Sequence, residues 1–417
     1  MALLVNGRSH LHNAVSRGNS DMVKLLCKHG GTASEFLEVE GIDGTPLEMA
    51  FSMKKFIVAE ILLENGAKLT AEAFRKGIQC ATRHHNVLYL EQVVEWKEQY
   101  HPELDSSYTL SWALADASFD GDIEMVKILL EKYHVDANAL DGIAVVNTSL
   151  SGQLEALEML EATGATSSGC EGALQAAACV GNKNTLEYLL SLNGSDRQNA
   201  NPSFDINCYE SNGHSALEDA LIGGYSDIAR MLIEMGADVN GQKGREGVAL
   251  KMAACRGYAD VVKMILDKGI MNGFQAAFEL GVSGGWMDVV RVMLENGNEG
   301  RNVMIGGKDL RHALHVARQK GFDEIVEMLE RENGQSDGED DSEVVNDDGE
   351  TKDEQSALLD LTQKHHASTS DNGMLIERDE DRNASANSEG ATETLAGSGT
   401  TRAGMGLLAY TLSLFHL

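Results

Sequence analysis

Two histidine pairs, His84-His85 and His365-His366, and six cysteines, Cys27, Cys80, Cys170, Cys179, Cys208 and Cys255, are the residues whose types suit metal binding or nucleophilic chemistry. Their spacing argues against both. Adjacent histidines on a helix do not face one another and no third ligand follows in register, while the cysteines form no C-x-x-C pair. The thiols read as reduced and mostly core, without a zinc site or a dense disulfide framework. No G-x-x-x-x-G-K-[ST] phosphate loop, G-x-S-x-G elbow or H-E-x-x-H helix occurs. The expectation is a protein that is not an enzyme and takes no cofactor and no metal.

Charge narrows the partners. The 417 residues carry a formal net charge of −31, of which −13 falls on residues 335 to 417 and −18 on residues 1 to 334. Nucleic acid and anionic membrane both reward clustered Lys and Arg, so neither is expected. The apolar start Met1 to Val5 is interrupted by Asn6-Gly7-Arg8, and no stretch reaches the roughly 18 apolar residues of a spanning helix. These features imply a soluble monomer, cytoplasmic or also nuclear.

The elements that would position any site show best between Gly213 and Asn240. Leu217, Ala220 and Leu221 share a helical face, Gly223-Gly224 breaks the helix, and Ile228, Met231 and Leu232 repeat the pattern before Gly236 ends a second helix. A two-helix unit of this kind buries too little surface to offset its ordering entropy, so it needs stacked neighbours. Taking Ala220 as reference, the same grammar recurs at Ala14, Ala50, Ala81, Ala117, Thr148, Ala177, Ala253, Gly281 and Ala317, ten copies in all. A turn glycine follows four positions on in every copy but those with Lys54 and His85, and an apolar residue twelve positions on runs from Leu26 to Leu329. The mean spacing is near 34 residues, the period of a helical repeat array.

Gly44-Thr45-Pro46-Leu47, the Leu-His pairs Leu11-His12 and Leu314-His315, and Gly236-Ala237-Asp238-Val239-Asn240 carry a resemblance to the ankyrin repeat family over residues 9 to 334. It implies an all-α solenoid of stacked helix-turn-helix units with short or trimmed β-hairpin fingers. Residues 1 to 334 would form the array and residues 335 to 417, rich in Ser, Thr, Asp, Glu, Asn and Gly, a disordered acidic tail with a short apolar C-terminus. Thr-Pro survives only at Thr45-Pro46; elsewhere, as at Ser215-Ala216, the first helix lacks the proline that fixes φ, which predicts a less rigid array. Spacings of 28 and 29 residues predict trimmed fingers, while polar Ser195 to Pro202 and Glu98 to Ser107 read as insertions.

The resemblance also implies a concave partner-binding surface between the reference position and the turn. Here that surface would hold Phe119, Leu150, Val180, Ile222, Cys255 and Arg256, with Arg17 and Lys320 as a charged rim. The alternative is that these side chains pack on the next repeat. After the turn glycine comes an aromatic ladder, Tyr225, Tyr258, Trp286 and Phe322, which either bridges repeats or anchors a partner. Tyr209, Glu210, Lys243 and Arg245 sit on the longest fingers. Asn240 is similar to ankyrin asparagines hydroxylated by oxygen-sensing dioxygenases, and Ser336 and Ser342 resemble sites of acidophilic kinases. The expected function is a non-catalytic protein-protein interaction module or scaffold. A regulatory or substrate-adaptor subunit of an enzyme complex, and a spacer for an acidic tail that binds basic partners, are the alternatives.

Overall fold

The computed structural model describes residues 9–29, 37–42, 44–165, 167–192, 205–209, 213–241, 247–269, 272–298 and 307–336. Twenty helices follow in pairs among the described residues: α1 (His10–Ser16) with α2 (Ser20–His29), α3 (Pro46–Ser52) with α4 (Phe56–Glu64), α5 (Ala71–Arg83) with α6 (Val87–Tyr100), α7 (Ser107–Asp120) with α8 (Ile123–Glu131) and α9 (Ala139–Ser151) with α10 (Leu154–Ala162). The series continues with α11 (Ser167–Val180) and α12 (Lys183–Leu192), α13 (Ala216–Gly223) and α14 (Ser226–Glu234), α15 (Val248–Cys255) and α16 (Ala259–Asp267), α17 (Phe274–Gly284) and α18 (Met287–Asn298), and α19 (Gly307–Lys320) and α20 (Asp323–Ser336). The chain divides into two compact units, Met1–Ala177 with Asn184–Phe204, and Ala178–Lys183 with Asp205–Leu417.

Within each unit the first helix of a pair packs on the first helix of the next, and second on second. In the first unit α1, α3, α5, α7 and α9 stack in one row; behind them α2 packs on α4, α6 on α8, and α8 on α10. The second unit stacks α13, α15, α17 and α19, and behind them α14, α16, α18 and α20. Small residues make the close approach of first helices possible. All ten reference positions lie on first helices and are buried, Thr148 and Gly281 included. Behind them Leu62, Val93, Leu129, Leu160, Leu189, Leu232, Ile265, Met293 and Leu329 are buried as expected. Leu26 is only half-buried, because α2 packs chiefly on α1 and α4.

The local chemistry explains the helix starts. Ser9, Thr45, Thr70 and Ser215 each accept a backbone N–H three residues on, satisfying one of the unpaired donors of a helix N-terminus. Where proline is missing at Ser215-Ala216, Glu218 reaches back to the Ser215 N–H and completes a capping box. His12 does the same for Ser9, and its Nε2 donates to the Gly44 carbonyl at 2.9 Å, tying the first pair to the second. Lys54 and His85, at the turn positions lacking glycine, still adopt φ of 57° and 52°. The turn geometry is thus imposed by the stack, and His85 recovers part of the strain through a 3.1 Å hydrogen bond to Asp122.

Among the described residues there is no β-strand, and the finger before α3 is short, a single antiparallel bridge between Gly41 and Gly44. Other expectations are corrected. Helix α6 continues through Glu98 to Tyr100, so the insertion begins at His101. Helix α20 extends to Ser336, two residues past the expected end of the array. Of the cysteines whose side chains are described, only Cys80 is buried; Cys27, Cys179, Cys208 and Cys255 are half-buried rather than core. Burial raises the thiol pKa of Cys27 and Cys80 above the ordinary value. Cys170 and the acidic tail from residue 337 lie outside the side chains described.

Candidate partner-binding surface

A first helix inside a stack is covered on three sides, by two neighbouring first helices and its own second helix. The fourth side is open. For α7 the covering elements are α5, α9 and α8. Leu110, Ala113, Leu114 and Ala117 turn inward and are buried. The opposite stripe, at spacing i, i+4, i+8 and i+11, holds Tyr108, Trp112, Asp116 and Phe119. Tyr108 is 62% and Trp112 40% exposed, and their rings meet edge-on at 6.4 Å and 75°. Phe119 and Asp116 are half-buried and Asp120 is exposed. Burial raises the Asp116 carboxyl to about 6, and Asp120 adds to the shift while Arg83 opposes it. On the neighbouring α9, Leu150 is half-buried, and Asn147 donates to the Ala115 carbonyl at 3.0 Å to fix the two helices together.

The second unit is built differently at its turns. Tyr225 lies against Gly181, where a Cβ would sit 2.3 Å from the ring, and Trp286 lies against Gly257, with 2.5 Å for the same hypothetical atom. Phe322 covers Gly285 likewise, and the Tyr258 hydroxyl donates to the Gly224 carbonyl at 2.7 Å. Trp286 Nε1 donates to the Cys255 carbonyl at 2.8 Å and Lys320 Nζ to the Ser283 carbonyl at 2.6 Å. Arg256 donates to the Ile222 carbonyl. A helix leaves its last carbonyls without intrahelical donors, and here the following pair supplies them. These contacts join consecutive pairs within the second unit.

A family model for ankyrin repeats matches residues 2–73, 114–243 and 175–276, together more than half of the chain. The chain belongs to the ankyrin repeat family. Comparison with curated proteins gives no match. In this ankyrin repeat protein the sequence-predicted surface residues divide by environment. Phe119, Leu150 and Val180 are half-buried on first helices, Ile222 is 9% exposed and belongs with the core, and Cys255 and Arg256 are half-buried with groups bonded to neighbouring pairs. Arg17 is exposed. Tyr209 is half-buried, and Glu210, Lys243 and Arg245 lie outside the described residues. Asn240 is exposed, with its side-chain amide on Asp238 at 3.0 Å. Among the described residues no His, Cys, Asp or Glu group is arranged to hold a metal ion, and no helix is long and apolar enough to cross a membrane.

Tyr108 and Trp112 are the residues that the repeat grammar overlooks. They precede the reference Ala117 by nine and five positions, in the part of α7 that follows the insertion. The signal was present as an aromatic stripe of helical period ending at Phe119.

Proposed function

We propose that this ankyrin repeat protein is a non-catalytic interaction module that holds a protein partner on the open face of its first helices. One observation carries the reading: α7 turns the exposed Tyr108 and Trp112 and the half-buried Phe119 to its open side. Exposed aromatic clusters of this kind are the usual anchors of interfaces. Affinity purification with the full chain, followed by mass spectrometry, tests it against the double variant Phe119→Asp with Leu150→Asp. A partner recovered by the parent chain and lost by the variant, with helical circular dichroism retained, is the expected result. Equal recovery by both chains refutes the placement on this face. Ile222 is unsuited to the test because its burial would make an aspartate there a folding lesion.

A further inference from the structure

The exposed apolar side chains of the described residues are not spread evenly. Leu88 and Met235 stand singly and Met22 and Leu25 make an aliphatic pair on α2, whereas Tyr108 and Trp112 are two exposed aromatic rings one helical turn apart that touch. On the adjoining α5 the charged groups already have partners: Arg75 bonds Glu72 at 2.6 Å and Lys76 bonds Glu48 at 2.8 Å. Asp116 does not have that balance. It lies one turn beyond Trp112, faces Asp120 on its own helix and Arg83 at the end of α5, and is largely removed from water. Two carboxylates against one guanidinium leave this end of the stripe with an excess of negative charge.

We propose that the stripe Tyr108, Trp112, Asp116 and Phe119 on α7 is a docking strip for a partner segment that carries an arginine or lysine beside bulky apolar residues. This rests on the reading that first helices present the partner-binding face, and adds the chemistry of what binds there. An apolar side chain between Trp112 and Phe119 would bury ring surface, and a cation above Trp112 would meet both the ring face and the Asp116 carboxylate. Arginine suits this best, since its guanidinium stacks on an aromatic and binds a carboxylate through two parallel hydrogen bonds. A partner cation would also supply the charge that Asp116 lacks within the fold. Phosphate-bearing ligands are disfavoured by the same carboxylates and by the net charge of −31.

The probe is a phage-displayed random dodecapeptide library panned on the full chain, with the leading peptide then synthesised with a fluorescein label for anisotropy titration. The expected peptides place Arg or Lys within three residues of an aromatic or aliphatic side chain. Trp112→Ala should weaken the labelled peptide tenfold or more, Asp116→Asn about fivefold at pH 7.5, and Leu88→Ser, on the unrelated exposed position of α6, not at all. Because the Asp116 carboxyl titrates at about 6, parent-chain affinity should fall between pH 7.5 and 5, while Asp116→Asn stays flat over that range. Replacing the peptide arginine by citrulline should abolish the difference between parent and Asp116→Asn. Circular dichroism establishes that each variant is folded. Absence of enrichment, enrichment of peptides without a basic residue, or binding that survives Trp112→Ala overturns the proposal. Binding lost with Phe119→Asp and Leu150→Asp but kept with Trp112→Ala overturns it while leaving the protein-binding function intact.

Discussion

Gly257 and Gly269 offer a controlled measurement of what the aromatic ladder contributes. Both are in the second unit and have nearly the same backbone, φ of 78° and 80°, but a Cβ at Gly257 would lie 2.5 Å from the Trp286 ring whereas one at Gly269 would meet nothing within 4 Å. Gly269→Ala should therefore cost only the left-handed strain, about 1–2 kcal/mol. Gly257→Ala adds displacement of the indole. That forfeits the bond from Nε1 to the Cys255 carbonyl, about 1 kcal/mol, and packing of the ring on the turn, about 1–2 kcal/mol more. The sum is roughly 3–5 kcal/mol. Since repeat stacks open locally, hydrogen exchange of amides in α15 to α18 is the proper assay. At about 1.4 kcal/mol per tenfold, Gly269→Ala should speed protected exchange roughly tenfold and Gly257→Ala more than a hundredfold. In a Trp286→Ala background the extra cost at Gly257 should vanish, leaving the strain alone. An equal effect of Gly257→Ala in both backgrounds would refute the bridging account.

Three further outcomes are expected. Lys54→Gly should stabilise α3 and α4 by about 1 kcal/mol, read as slower amide exchange, because an exposed lysine there is held at φ 57°; His85→Gly should gain less, since it also loses the bond to Asp122. The folded chain keeps Asp116 protonated to about 6 while the ordinary value is 3.8, so the native state binds more protons between these limits and stability falls as pH rises through that window. Asp116→Asn should accordingly raise stability at pH 7 by about 1–3 kcal/mol in denaturant titrations and remove that part of the pH dependence. Glu218→Ala should lower protection at the start of α13 by about 1 kcal/mol, as half of its capping box is lost.

Much of this architecture was legible because stacking demands a small residue where first helices meet and a left-handed residue where each turns. Ala117, Ala220 and Ala253 reveal the first demand, and Gly121, Gly224 and Gly257 the second. Surface roles were less legible. Ile222 shares the register of Phe119, yet it is buried, with Arg256 of the next pair reaching back to its carbonyl. Residue spacing within one pair does not report what the next pair lays across it. Tyr108 and Trp112 escaped for the opposite reason: insertion and helix extension place them before the motif, where only the 3.6-residue period connects them to Phe119. The ladder also left a trace in its own repeat. Gly223 and Gly284, two residues before Tyr225 and Trp286, give those rings room, since a Cβ at either would meet them at 2.7 Å and 2.4 Å.

The two units resolve the same position in opposite ways. In the first unit the residue after the turn is polar, and Asn19, Asn86 and Asp122, though not Lys55 or Gln153, cap the following helix by accepting a backbone N–H at 3.0 to 3.1 Å. In the second unit Tyr225 and Tyr258 occupy that N-cap and make no such bond. Loss of a cap costs about 1 kcal/mol. A half-buried aromatic ring removes on the order of 100 Å² of apolar surface from water, about 2–3 kcal/mol, so the exchange favours the ladder. Its consequence for function is directional. Tyr258, Trp286, Arg256 and Lys320 direct their donors at carbonyls of the preceding pair, which makes the turn edge of the second unit part of its cohesion. In the first unit Tyr108 is largely exposed, Trp112 is as exposed as Trp286, and Asp116 is held ionised at neutral pH against its desolvation. A carboxylate that costs the fold stability is better explained by binding than by folding, which is what the proposed docking strip on α7 requires of Asp116.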